Sequence, residues 1–182
     1  MALWPLPKEL STGSSTLKLG DHFNIKLSGV PNAPKDLEEA MKRTEEFLST
    51  DKLQILEPDR GASYADAVHS APSLDRLTIS LESTENVRSI SDEAKDRLED
   101  RQEGYTLEVP DDGSDATLTA NSTLGLFRGL STFSQLWYDL EGKQYSVVAP
   151  ISIKDSPAYV SSMVTSRLSY SDLSIAIPWL HA

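Results

Sequence analysis

The chain has 182 residues, no cysteine and a formal charge of −11. One domain with its own core fits that length, whereas a (β/α)8 barrel of ~250 residues does not. An acidic surface lacks the clustered Lys and Arg that phosphate backbones and anionic lipids require, so neither nucleic acid nor membrane is an expected partner. The missing cysteines remove disulfides, thiolate metal ligands and cysteine nucleophiles. No apolar run approaches the ~20 residues of a transmembrane helix, and the opening M-A-L-W-P-L-P-K has neither the basic start nor the continuous apolar stretch of a secretory signal.

In chain order, L-W-P-L-P-K-E-L at residues 3–10 interleaves apolar residues with proline and predicts an extended segment that pins the N-terminus to the domain. Leu17, Leu19, Phe23, Ile25 and Leu27 alternate, with Gly20-Asp21 as an interruption, which predicts one bulged strand or two short ones. A helix is expected from Pro34 onward. Leu37, Ala40, Met41, Thr44, Phe47 and Leu48 form its apolar stripe, and the charged residues around them form a solvated face. Residues 57–73 read as loop and Leu74 to Leu81 as a strand. Residues 83–103 are dense in charge and predict an excursion with a short exposed helix around Asp92 to Leu98.

The apolar pattern then returns. Tyr105, Leu107 and Val109, then Ala116, Leu118 and Ala120, predict two strands of a hairpin turning at Pro110–Asp115. Asn121 is the expected N-cap of a second helix whose apolar face carries Leu124, Phe127, Leu130, Phe133, Leu136 and Trp137. Gly125 and Gly129, four apart on it, are read as close packing against the sheet. Tyr145–Val148 and Ile151–Ile153 are final strands. The sum is an α+β fold: one mostly antiparallel β-sheet covering two amphipathic helices on one face, with an irregular C-terminal tail.

The order of these elements from Glu103 to Tyr159, the W-P-L-P opening and the Asp155-Ser156-Pro157-Ala158-Tyr159 ending resemble the N-terminal, non-catalytic domain of fungal-like β-N-acetylhexosaminidases. These are glycoside hydrolases of the substrate-assisted class. The resemblance implies an α+β domain over residues 1–159 whose partner is a catalytic (β/α)8 barrel, in a secreted or vacuolar/lysosomal enzyme that releases terminal N-acetylhexosamine. It implies no cofactor.

The catalytic motifs of such enzymes, an Asp-Glu pair after H-x-G-G and a sugar-binding R-G segment, have no counterpart here. Asp92-Glu93 lacks the flanking histidine and glycines, and the residues around Arg167 do not fit the sugar ligand's setting. The isolated chain is therefore expected to be inactive, with no catalytic residue of its own. The match stops abruptly after Tyr159, as a frameshift, retained intron or truncated gene would make it, and residues 160–182 are expected to form a poorly ordered, non-family tail.

Other constellations are weak. His22, His69 and His181 are scattered, which predicts no metal site. The Asp111–Asp115 run has its glycine too early for a calcium loop and no closing glutamate, so it reads as a hairpin turn. Asn121-Ser122-Thr123 is an N-glycosylation sequon in which capping would compete with modification for Asn121. The alternative to a structural domain is a free-standing sugar-binding or regulatory module, for which Trp4, Tyr64 and Trp179 are the candidate aromatics, although packing or the tail accounts for each.

Overall fold

The computed structural model describes residues 3–50 and 62–156. Six strands and four α-helices follow one another as β1 Glu9–Ser28, α1 Lys35–Thr50, α2 Ala65–Ser70, β2 Ser73–Leu81, α3 Ile90–Glu93, β3 Tyr105–Val109, β4 Ala116–Ala120, α4 Thr123–Ser134, β5 Tyr138–Leu140 and β6 Lys143–Asp155. The sheet order is β1-β2-β4-β3-β6-β5, and β1 also pairs with β6. The two β1–β2 and β2–β4 ladders are parallel, and the other four are antiparallel. The sheet is thus mostly antiparallel, as the sequence predicts, and mixed because α1 carries the chain across between β1 and β2.

β1 closes the sheet on itself. Its first half runs antiparallel to β6, from Glu9 opposite Lys154 to Lys18 opposite Tyr145. Its second half runs parallel to β2, from Lys18 opposite Ser73 to Ser28 opposite Ser80. The expected interruption near Gly20-Asp21 is a break in register between Leu19 and Asn24 within one continuous strand. A second irregularity, between Thr12 and Ser15, faces Pro150 in the middle of β6. Proline lacks a ladder donor and belongs at such bulges. Gly13 fits there because a Cβ on it would lie 2.3 Å from the Ala149 carbonyl oxygen and 2.5 Å from Pro150 Cδ.

The core lies between this sheet and helices α1 and α4. Leu17, Leu77, Ile79, Leu107, Leu118, Ile151 and Ile153 point into it from the strands, Leu37 and Leu48 from α1, and Leu126, Leu130 and Phe133 from α4. Phe133 stacks on Phe23 at 5.7 Å between centroids and meets Trp137 edge-on at 5.5 Å. The two glycines of α4 serve packing, as expected: a Cβ on Gly129 would lie 2.2 Å from Leu118 Cδ1, and one on Gly125 would lie 2.5 Å from the Gly104 carbonyl oxygen.

Three sequence expectations about α4 and the final strands change. Phe127 is 37% exposed, because the buried face of α4 passes through Leu126, Gly129, Leu130 and Phe133. Ser122, not Asn121, caps α4, its Oγ accepting the Gly125 N–H at 2.9 Å. The two final strands are one, β6, continuous through Pro150.

Candidate functional site

The residues singled out for chemistry fall into structural roles. Asp92 and Glu93 lie on α3, within the charged excursion, and part company there. Asp92 is exposed and accepts from Lys95 Nζ at 2.9 Å and from the Ser89 hydroxyl at 2.8 Å. Glu93 reaches the start of α4, where Oε2 accepts the Leu124 N–H at 2.7 Å and lies 3.0 Å from Thr123 Oγ1. The free N–H groups and dipole of a helix N-terminus favour a carboxylate there. Arg88 closes the excursion, its guanidinium gripping the Asp96 carboxylate at 2.6 and 3.0 Å.

His22 and His69 are exposed and lie in different elements, and no group of three or more His, Cys, Asp or Glu able to hold a metal forms among the described residues. Asp112 closes the β3–β4 turn through the Ser114 N–H and hydroxyl at 2.9 and 2.6 Å, with Gly113 at φ +85°. Those Ser114 bonds hold the Asp112 carboxyl below the usual carboxylate range. Asp111 instead accepts from Ser15 at 3.0 Å, and Asp115 pairs with Arg76 at 3.3 Å. The run is a hairpin turn. Arg167, His181 and Trp179 lie outside the described residues.

The two ends of the domain, each marked in the sequence by a proline motif, meet in space. Leu3 and Pro7 are buried, while Trp4 and Leu6 between them are 86% and 74% exposed. The strap is fixed at both ends: Trp4 N–H donates to Gln135 Oε1 at 2.8 Å, just past α4, and Lys8 N–H donates to Asp155 Oδ1 at 3.2 Å. Lys8 Nζ reaches Ser156 Oγ at 2.9 Å. Asp155 itself is buried at the end of β6. Leu10, opposite the buried Ile153 in the β1–β6 ladder, is 40% exposed. The reading of Trp4 as a packing residue is thereby corrected: its neighbours Leu3 and Pro7 pack, and the indole faces out. Residue pattern alone did not reveal this, because alternating apolar residues and prolines show that one side of a segment is buried but not which one.

A second surface feature is a groove of about 460 Å³ between α1 and α4, walled by Ala40, Phe47, Ile90 and Phe127 and rimmed by Asp36 and Arg43. Burial raises the Asp36 carboxyl, but the Ser91 N–H and hydroxyl, at 2.9 and 3.0 Å, together with the Ile90 and Leu37 N–H groups, outweigh it and hold it below its ordinary range.

A closed mixed sheet with two covering helices is a fold that recurs as one segment of a much longer chain. Flavobacterium johnsoniae chitobiase shares it with a TM-score of 0.53 at 20% identity, over 86% of this chain and 21% of that one. Residues 3–136 match the family described as beta-acetyl hexosaminidase like. The chain belongs to that family. A β-hexosaminidase of Arthroderma benhamiae is 28% identical over 140 residues, which cover 71% of this chain and 21% of the enzyme. The chain therefore spans about a fifth of the length of the relatives it matches, and residues 3–136 are the N-terminal type of domain of that family.

Proposed function

We propose that this domain is the structural N-terminal unit of an enzyme that removes terminal non-reducing N-acetylhexosamine from glycans or chitin fragments. Its partner is a catalytic (β/α)8 barrel, and the Trp4–Leu6 strap is the surface on which the barrel rests. One observation carries the reading: Trp4 and Leu6 are 86% and 74% exposed, yet the segment bearing them is hydrogen-bonded onto the strand by which the chain leaves the domain. An apolar strip held in place in this way supports docking against the polypeptide beyond Ser156. Contacts between domains of one chain typically cover ~600–1,500 Å². Secretion or delivery to a vacuole or lysosome accompanies this reading.

The test adds a barrel domain from a family relative in trans and measures binding by calorimetry. Binding that weakens in the Trp4→Ser, Leu6→Ser double variant supports the strip, and equal binding by both proteins removes it. With an aryl N-acetylglucosaminide the chain alone is expected to give no turnover. The second reading, a free-standing sugar-binding module, draws on the same exposed indole and on Tyr64, 45% exposed. Titration with chitin oligosaccharides separates the two, because saturable binding lost in Trp4→Ala favours the module.

A further inference from the structure

The sequon Asn121-Ser122-Thr123 lies across the junction of β4 and α4, and the structure divides its three residues between different duties. Asn121 is exposed, and its side chain makes no hydrogen bond among the described residues. Ser122 supplies the helix cap and donates to the Gln102 carbonyl. Thr123 is 0% exposed, its hydroxyl 2.9 Å from the Arg88 carbonyl and 3.0 Å from Glu93 Oε2. The acceptor amide is thus free in the folded domain, while the hydroxyl that makes the sequon readable is sealed beneath α3.

We propose that Asn121 is an N-glycosylation site whose use is gated by folding: it is modified only before the 88–93 segment docks over Thr123. The Asn121 amide nitrogen attacks the anomeric carbon of a lipid-diphosphate-linked oligosaccharide. A C–N bond forms, the C–O bond to the diphosphate breaks, the lipid diphosphate leaves, and the amide proton passes to a base of the transferase. The transferase reads N-x-S/T as extended chain through the third residue's hydroxyl, which the folded domain withholds. Capping does not compete, since Ser122 does that work, and the finished glycan is compatible with the fold because Asn121 already faces solvent. It also leaves the docking strip clear. Trp4 is held at Gln135, beyond the far end of α4, and twelve helical residues separate the two by ~18 Å.

This inference relies on the secretory reading above only for where the chain would meet a transferase, so the test has one arm in a secretory host and one without. In the first, the full chain is expressed behind a signal peptide in a eukaryotic host. A single mobility shift removed by a peptide-N-glycosidase, and lost in Asn121→Gln, is expected. Secreted protein without the shift overturns the site. In the second, a purified oligosaccharyltransferase and its lipid-linked donor act on full-length chain made in bacteria, either folded or kept unfolded by Phe133→Asp. The unfolded chain gains the glycan at Asn121 and the folded chain does not. Equal modification of both overturns the gate. Failure on the unfolded chain overturns the site whatever compartment the protein occupies.

Discussion

Glu93 shows how a residue type can mislead when its setting is unknown. Next to Asp92 it has the composition of a catalytic carboxylate pair, yet its oxygen accepts the Leu124 N–H in the first turn of α4. Replacing it with alanine should cost about 1–2 kcal/mol, the usual cost of losing a helix N-terminal acceptor, read as a lower urea midpoint with an unchanged slope. Asp92→Ala, at an exposed carboxylate, should move the midpoint less. Likewise Phe133→Ala should cost about 3–5 kcal/mol for a fully buried aromatic ring, while Phe127→Ala, at a partly exposed residue in the groove wall, should cost about 1 kcal/mol or less. Reversal of that order in thermal melts would show the α4 face to be rotated. Acid sensitivity follows from a third group of residues. Donors from Arg88 lower Asp96, those from Ser114 lower Asp112, and Asp36 is lowered because the donors of Ser91, Ile90 and Leu37 together outweigh burial. A depressed folded-state pKa stabilises the fold above the unfolded value of about 4 and loses that contribution as pH falls through the folded value. Urea midpoints taken from pH 6 to pH 2 should therefore drop steeply below about pH 4, and Asp96→Asn should flatten that drop. Parallel curves for the two proteins would remove the assignment.

Elements whose burial is one-sided were legible from residue spacing. Thus α1, β2, β3, β4 and α4 appear where alternation or helical periodicity places them. The first half of β1 does not, because E-L-S-T-G-S is exposed at every position and burial leaves no periodic mark. α2 and β5 are six and three residues long, too short for a period to register. The face of α4 was misjudged by one edge: its apolar residues fill more than half the circumference, and only contact with the sheet chooses Leu126 over Phe127. The site was less legible than the fold. W-P-L-P identifies a strap, but the outward turn of Trp4 depends on Gln135 and Asp155, distant in sequence. At Gly125 the close approach of α4 is testable. Alanine raises helix propensity by ~1 kcal/mol, yet its Cβ would press on the Gly104 carbonyl, a backbone atom that cannot rotate away. Net destabilisation of roughly 1–3 kcal/mol is expected in Gly125→Ala, and a stabilised variant would mean that the helix stands farther from β3.

For the whole molecule, the consequence of an uncovered strip is association. Trp4 and Leu6 are exposed on one short strap, and apolar surface exposed in this way tends to find a partner. Sedimentation of the folded chain at rising concentration should show self-association that is suppressed in Trp4→Ser, Leu6→Ser, or by an added barrel domain. A strictly monomeric wild-type chain that also ignores the barrel would leave the strip without a role.

The double pairing of β1 also sets a timetable. Glu9 finds its partner only at Lys154, so the first strand of the domain waits for nearly the last residues of the domain before its outer half is hydrogen-bonded. Contacts so distant in sequence form slowly, and unpaired strand edges attract other chains meanwhile. A nascent chain arrested just before Lys143 should hold β1 by β2 alone and be cut by protease within Glu9–Thr16, whereas one extended past Ser156 should resist. The same strand that completes the domain also leads out of it, so the moment at which the sheet closes is the moment at which whatever follows begins to emerge.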